Sequence, residues 1–198
     1  DLSRGLGDVY KRQDLLKETP ESLNLDAPFD VCIVDPPYFN QGSKSPTRGL
    51  TITYRLIPDA EMIKIDLSKW SKSLIFMWTV PSKLEFSIQW LQRYGFKVID
   101  TIAWVKTTSK DRVQLSQGYL FKHGKEICLV ARSLNWDRDK FLKGQGVDVI
   151  FEARAGNSMK PTGLYELIEG IIPNGKFVEL FGRKNNLRNT WTTIGLEF

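Results

Sequence analysis

The sequence is poor in the residues that metal and redox chemistry use. It holds one histidine and two cysteines, Cys32 and Cys128, too few for a zinc site of the usual nitrogen and sulfur ligands. Each cysteine sits inside an apolar run and has no metal-ligating neighbour at a useful spacing. Both are therefore expected as small buried core residues, in a reducing, intracellular setting (nuclear, or cytoplasmic in a prokaryote). Long hydrophobic runs are also missing. No segment approaches the length needed to span a bilayer, and the N-terminus lacks the apolar core of a secretory signal. Neither internal repeats nor low-complexity stretches occur. Acidic residues are outnumbered by basic ones, 23 to 28. That excess is compatible with a nucleic-acid partner without establishing one.

What is present is an ordinary globular composition. At 198 residues, 41% hydrophobic and 26% charged, the chain suits one α/β domain better than two. Residues 1–13 show no amphipathic period and are set aside as a disordered or non-native segment, leaving 14–198 as the domain. Apolar strands are predicted at 30–34, 73–80, 97–105, 126–131, 147–151 and 177–181. A helix is predicted from Pro58-Asp59 through Ala60, Ile63, Leu67 and Trp70. A second runs along Leu84, Ile88 and Leu91 and is closed by Gly95, and a third along Leu164, Leu167, Ile168 and Ile171 ends at Pro173-Asn174-Gly175. Residues 40–53 and 107–122 read as loops. Alternating helices and apolar strands point to a mostly parallel sheet with helices on both faces, in which ligands bind beyond the carboxyl ends of the strands.

Two strand ends carry unusual residues: Asp35-Pro36-Pro37-Tyr38 and Glu179-Leu180-Phe181-Gly182-Arg183. The first suits methylation of an aromatic amine. The exocyclic nitrogen of adenine is a weak nucleophile because its lone pair is delocalised into the ring. A carboxylate (Asp35) and a carbonyl (Pro36) can both accept its N–H bonds and leave the lone pair free. Successive prolines stiffen the turn, and Tyr38 offers a face on which a base can stack. Such a tetrapeptide can equally be a strand stop with a solvated acid and a packed tyrosine.

The rest of the chain resembles the METTL-type adenine N6-methyltransferases (the MT-A family), which include the mRNA adenosine methylase and its DNA-methylating relatives. The matching segments run in the family's order: Val34–Tyr38, Tyr54 with Pro58–Met62, Ile75–Trp78, Trp104–Thr107, His123–Val130, Lys160-Pro161, Glu179–Arg183 and Trp191–Gly195. The resemblance implies a Rossmann-like methyltransferase fold in which the catalytic motif precedes the main cofactor strand. It also implies S-adenosyl-L-methionine as cofactor, RNA or DNA as substrate, and a related methyltransferase-like subunit as partner, either chain of such a pair being the silent one.

Carried over by position, Asp35, Pro36, Pro37 and Tyr38 hold the target amine. Tyr54, Glu126, Arg154 and Lys160 contact substrate or fix the loops around it. Asp14, Leu15, Asp35, Lys160, Phe181, Gly182, Arg183, Asn185 and Asn186 line the cofactor side, with no metal. The chain departs from the family at Tyr38, where tryptophan is usual, at Lys184-Asn185, and at Leu196-Glu197. Lys44 and Arg48 in the first loop, and Lys106, Lys110, Arg112, Lys122 and Lys125 around the second, add basic charge. In the family the second region helps to form the subunit contact. Trp78 and Trp104 are expected in the core, and His123 in a local hydrogen-bonding role.

Overall fold

The computed structural model describes residues 9–12, 15–38, 56–118, 120–142, 146–156, 159–183 and 186–195. The strands are β1 (Val9–Arg12), β2 (Phe29–Val34), β3 (Ser71–Thr79), β4 (Phe96–Thr107), β5 (Lys125–Ser133), β6 (Val149–Ala153), β7 (Phe177–Leu180) and β8 (Trp191–Gly195). They form one eight-stranded sheet in the order β1-β8-β7-β2-β3-β5-β4-β6. Only β5 runs antiparallel to its neighbours, β3 and β4; the other pairs are parallel. The mostly parallel, Rossmann-like sheet expected from the sequence is therefore present. Val9–Arg12, within the segment set aside above, pairs with β8 and forms one edge of it.

Strand alternation divides the core in two. Cys32, Val34, Ile75, Met77, Val178 and Leu180 pack on one face, with Trp70, Trp90 and Leu91. Val31, Ile33, Leu74, Phe76, Trp78 and Phe177 pack on the other, with Leu164, Tyr165 and Ile168. Successive side chains of a strand point to opposite faces, so strands buried on both read as unbroken apolar runs. Helices α2 (Leu84–Arg93) and α3 (Thr162–Ile171) cover the two faces. Gly95 closes the turn after α2 at φ +79°, a left-handed backbone that glycine adopts without strain. Both cysteines are buried and free, as expected.

The first helix differs from its sequence pattern. After Pro58, α1 (Asp59–Met62) makes a single turn, and a separate 3-10 turn follows at Leu67–Lys69. The physical reason lies in Asp66, whose carboxylate accepts the Ser68 N–H at 3.0 Å and starts the second turn. The apolar period of Ile63, Leu67 and Trp70 comes from burying two short turns. Among the described residues, no helix is long and apolar enough to cross a membrane.

Because β5 alone is reversed, the carboxyl ends of the other strands and the amino end of β5 share one edge. From β2 the chain crosses to β3 on one side, and from β7 it passes to β8 on the other. The crevice between the ends of β2 and β7 is thus a topological switch point, the place where open α/β sheets bind ligands.

Candidate active site

Asp35 follows the last residue of β2 at that crevice, and its N–H donates to the Leu180 carbonyl at 3.3 Å across to β7. One carboxylate oxygen, Oδ1, meets Lys160 Nζ at 3.0 Å. The same ammonium lies 3.1 Å from Glu126 Oε2, and Glu126 Oε1 accepts from Lys106. Four charged side chains, two of each sign, therefore alternate along the sheet end. Lys160 and Lys106 each sit 5.1 Å from a tryptophan ring centre, over Trp78 and Trp104 respectively. Those rings are buried and edge-on to each other, so both indoles belong to the core, as expected, and each also seats a cation.

Glu152 aims Lys160. Its carboxylate accepts the N–H groups of Thr162 at 2.7 Å and Gly163 at 2.9 Å, at the start of α3 just beyond Lys160. An acid at a helix N-terminus satisfies orphan donors and complements the helix dipole. The Glu152 carbonyl also accepts the Trp104 indole N–H at 2.9 Å. Sheet, helix start and cation are thereby tied together.

The charge states follow from burial and pairing. Burial alone would lower the Lys160 pKa, but Asp35 and Glu126 outweigh it and hold the ammonium above its ordinary range. Burial raises Asp35, against the pull of Lys160. For Glu126, burial is overcome by Lys160 and Lys106, which bring it down to about 2. A cation shared between two carboxylates favours their ionised forms: it prevails at Glu126, while at Asp35 it offsets only part of the effect of burial.

Pro36 and Pro37 make a tight turn. The Tyr38 N–H donates to the Pro36 carbonyl at 2.8 Å, and the Ile57 N–H to the Pro37 carbonyl at 3.1 Å. A carbonyl oxygen has two lone pairs, so Pro36 can still accept a second bond. Tyr38 packs beside α2 and sets its ring edge-on to Phe86.

The MT-A70 family model matches residues 29–197. The chain belongs to the MT-A70 family. It is 30% identical over 170 residues to the zebrafish "N(6)-adenosine-methyltransferase subunit METTL3", covering 84% of this chain and 27% of that protein. A Drosophila "N(6)-adenosine-methyltransferase MT-A70-like protein" is likewise 30% identical over 170 residues, covering 84% of this chain and 26% of its own length. The Xenopus "N(6)-adenosine-methyltransferase non-catalytic subunit METTL14" is 28% identical over 204 residues, covering 94% of this chain and 42% of that protein. The chain thus spans between about a quarter and two fifths of these relatives, one of which is named as a non-catalytic subunit.

The remaining residues expected around the cofactor and the substrate are placed as follows. Phe181 and Gly182 lie at the crevice, directly after β7. Phe181 adopts φ +63°, a left-handed backbone that a bulky residue rarely holds outside functional sites. Arg183 follows them, and Asn186 donates to Glu179 Oε1 at 3.3 Å behind them. Leu15 is buried in the core beside the same sheet face as Leu180 and Phe181. Arg154 is exposed just after β6, at the same sheet edge. Asp14, Tyr54 and Asn185, the loop 40–53 with Lys44 and Arg48, and the departures at Lys184 and Leu196-Glu197 lie outside the described residues. His123 exchanges backbone bonds with Ser116, each at 2.8 Å, closing a small bridge in the loop after β4.

Gly182 has a structural reason to be glycine. A Cβ there would stand 2.3 Å from Thr193 Cγ2 on the neighbouring β8 and 3.0 Å from Glu179 Cδ on β7. Gly182→Ala is expected to destabilise the chain by about 1–3 kcal/mol through overpacking, read as a lower denaturation midpoint at unchanged m-value.

Of three further polar groups near the site, the sequence does not single out Glu152, and it marks Lys106 only as loop charge and Glu179 only as part of the strand-end segment, without a role for either. Period-two spacing from Trp104 would have placed Lys106 on the face of the site. An acid within Phe177-Val178-Glu179-Leu180 was the clearest available signal, because a charge inside an apolar strand is rare unless it has partners. Glu179 is fully buried. Its Oε1 accepts from Tyr165 at 2.9 Å, while Oε2 and Thr193 Oγ1 have no hydrogen-bond partner among the described residues. Burial pushes its pKa up to about 7, against the bonds from Tyr165 and Asn186.

This shift has a signed consequence. An acid whose folded pKa is raised takes up a proton on folding between the two pKa values, so stability falls as pH rises from 4.5 to about 7. The loss amounts to about 3 kcal/mol at 1.36 kcal/mol per pKa unit. Glu179→Gln is expected to flatten that slope and to be the more stable form at pH 8. Chemical denaturation at pH 5 and pH 8 checks this; parallel slopes for both proteins would contradict it.

Proposed function

We propose that this chain is an S-adenosyl-L-methionine-dependent methyltransferase domain acting on the N6 amino group of adenine in RNA or DNA. The observation that carries the reading is the ion pair of Asp35 with Lys160 at the β2–β7 switch point, directly before a stiff Pro-Pro turn. A carboxylate acceptor, a second acceptor in the Pro36 carbonyl, and an aromatic wall in Tyr38 are the groups an amine methylase needs. Membership of the MT-A70 family supports the reaction class.

The residues present fit the cofactor. Its amino-acid end carries a carboxylate and an ammonium, and the crevice offers Lys160 and Asp35 as partners for them. Its ribose and adenine need amide and cationic donors and a close backbone, which Asn186, Arg183 and the left-handed Phe181 turn supply. S-Adenosyl-L-methionine, when bound, supplies a methyl group activated by a positively charged sulfur. The chain's own part is positional. Asp35 and Pro36 accept the two N–H bonds of the amine and free its lone pair. Lys160 favours the ionised form of Asp35 against the burial that raises its pKa, and Tyr38 bears on the base, a contact worth roughly 1–3 kcal/mol. The proton that the amine would shed on methylation would leave to solvent from the Asp35 side.

A related subunit as partner is supported by the loop between β4 and β5, which exposes Leu115, Leu120 and Phe121. Clustered exposed apolar side chains of this size mark interaction surfaces. One observation favours a second reading, that of a silent partner: a relative named as a non-catalytic subunit shares 28% identity. Titration with S-adenosyl-L-methionine separates the two. Saturable binding by the chain, alone or with a related subunit, is expected. No binding at millimolar cofactor in either form would contradict the enzyme reading.

A further inference from the structure

The catalytic turn is anchored from an element that the proposed mechanism does not use. Tyr38 Oη lies 2.7 Å from Ser87 Oγ and 3.1 Å from the Trp78 carbonyl. Ser87 is fully buried on α2, and its hydroxyl donates to the Lys83 carbonyl at 2.8 Å. Thr79, at the end of β3, lies 2.8 Å from the same oxygen. Each hydroxyl has one proton to give. With the Ser87 proton on Lys83, Ser87 Oγ is left as an acceptor for Tyr38 and Thr79, and the Tyr38 proton has the Trp78 carbonyl as a second acceptor. The bonds converge on Ser87 of α2.

Two further contacts hold the backbone of this turn and the start of α2 beside it. Tyr38 forms a parallel bridge with Ile57, and Lys83 Nζ pairs with both Asp59 oxygens at 2.8 and 2.9 Å, tying α2 to α1. A tyrosine fixed at its backbone and at its para-oxygen can only rotate about its long axis, and the edge of Phe86, 6.4 Å away between centroids, limits that rotation. The phenol itself faces the interior, and burial raises its pKa. It has no proton to trade with a substrate; its hydroxyl serves to hold the ring.

We propose that Ser87, supported by Thr79, is a positioning residue that fixes the face of Tyr38 against which the target base stacks. The inference rests on the proposed function. It also accounts for tyrosine at the position where tryptophan is usual in the family, since an indole has no group at the para-oxygen position to reach Ser87.

The test is a double-mutant cycle with Ser87→Ala, Tyr38→Phe and both together, in the full chain with its partner subunit if transfer requires one. KM and kcat are measured for an adenine-containing oligonucleotide, and the dissociation constant is measured for S-adenosyl-L-methionine. Loss of a single buried hydrogen bond corresponds to roughly two- to tenfold. Ser87→Ala is expected to raise oligonucleotide KM by about that factor, to leave cofactor affinity unchanged, and to add less than about twofold when Tyr38 is already phenylalanine. Additive effects of the two changes would overturn the proposal, as would an unchanged KM in Ser87→Ala. Equal losses in oligonucleotide and cofactor binding would also overturn it, by showing a general structural role. Denaturation of the same four proteins reads the Tyr38–Ser87 coupling without any substrate. Coupling there, with no transfer by the unaltered chain, would contradict the functional reading and with it the role given to Ser87. Absence of coupling contradicts the positioning role alone.

Discussion

Asp35→Ala is expected to abolish methyl transfer while leaving the fold and most of the cofactor affinity in place. Asp35 is the only carboxylate directly before the Pro36-Pro37 turn, and its Oδ1 is held 3.0 Å from Lys160. Without it the amine keeps one acceptor, the Pro36 carbonyl, and its lone pair stays in the ring. Removing one preorganised hydrogen-bonding group of this kind costs about 10²–10³-fold in kcat. The fold should tolerate the change because Lys160 keeps its second partner, Glu126, at 3.1 Å. Single-turnover transfer, cofactor titration and a denaturation curve on the same preparation make the check. Near-normal turnover in Asp35→Ala would remove the proposed mechanism, and collapse of all three readouts would make Asp35 a structural residue instead.

The second large effect is expected at Lys160. Its ammonium is 11% exposed and lies between two carboxylates. Lys160→Met keeps the apolar stem over Trp78 but removes the ion-pair partner of Asp35 and leaves Glu126 with Lys106 alone. Breaking a buried pair on one side costs about 3–5 kcal/mol. The pH dependence has a definite sign. In the unaltered chain the Glu126 pKa is depressed to about 2, so its contribution is present above 4.5 and is lost only as pH falls towards 2. Lys160 itself, with its pKa raised, contributes fully below 10.5. In Lys160→Met both carboxylates lose the Lys160 cation, Glu126 keeping only Lys106, and both titrate higher, so the variant recovers part of its stability as pH falls. Denaturation should show a larger deficit at pH 8 than at pH 5, and cofactor binding should be lost at both. A pH-independent deficit would mean that packing, and not charge, is what Lys160 supplies.

Much of this site was legible in the sequence because its signals are local. Apolar strands that end abruptly, as at Asp35 and Phe181, mark the binding edge of a parallel sheet without further information. The ordered segments shared with the MT-A70 family then indicated which distant residues meet there, and Asp35, Glu126 and Lys160 do meet. Other features depend on strand neighbours, which local patterns do not reveal. Glu152 acts through the start of α3, ten residues away, and Lys106 meets Glu126 only because β4 and β5 are antiparallel partners. Ser87 reads as one more polar residue of an amphipathic helix until the fold places Tyr38 beside it. The short α1 was misread for the opposite reason: two separate turns happen to repeat at a helical period. Val9–Arg12 shows no pattern of its own and takes its place as an edge strand by pairing with β8.

The central claim is that the cluster of Asp35, Lys160 and Glu126 beside the Pro-Pro turn directs a methyl group to the N6 position of adenine. The most direct measurement supplies S-adenosyl-L-methionine labelled on its methyl group, with unstructured and duplex RNA and DNA, to the chain with and without a related subunit. The products are digested to nucleosides and separated by mass. The account predicts label in N6-methyladenosine or its deoxy counterpart, in at least one of those mixtures and not with Asp35→Ala. Label confined to another base or another position of adenine, or no label in any mixture, would contradict it.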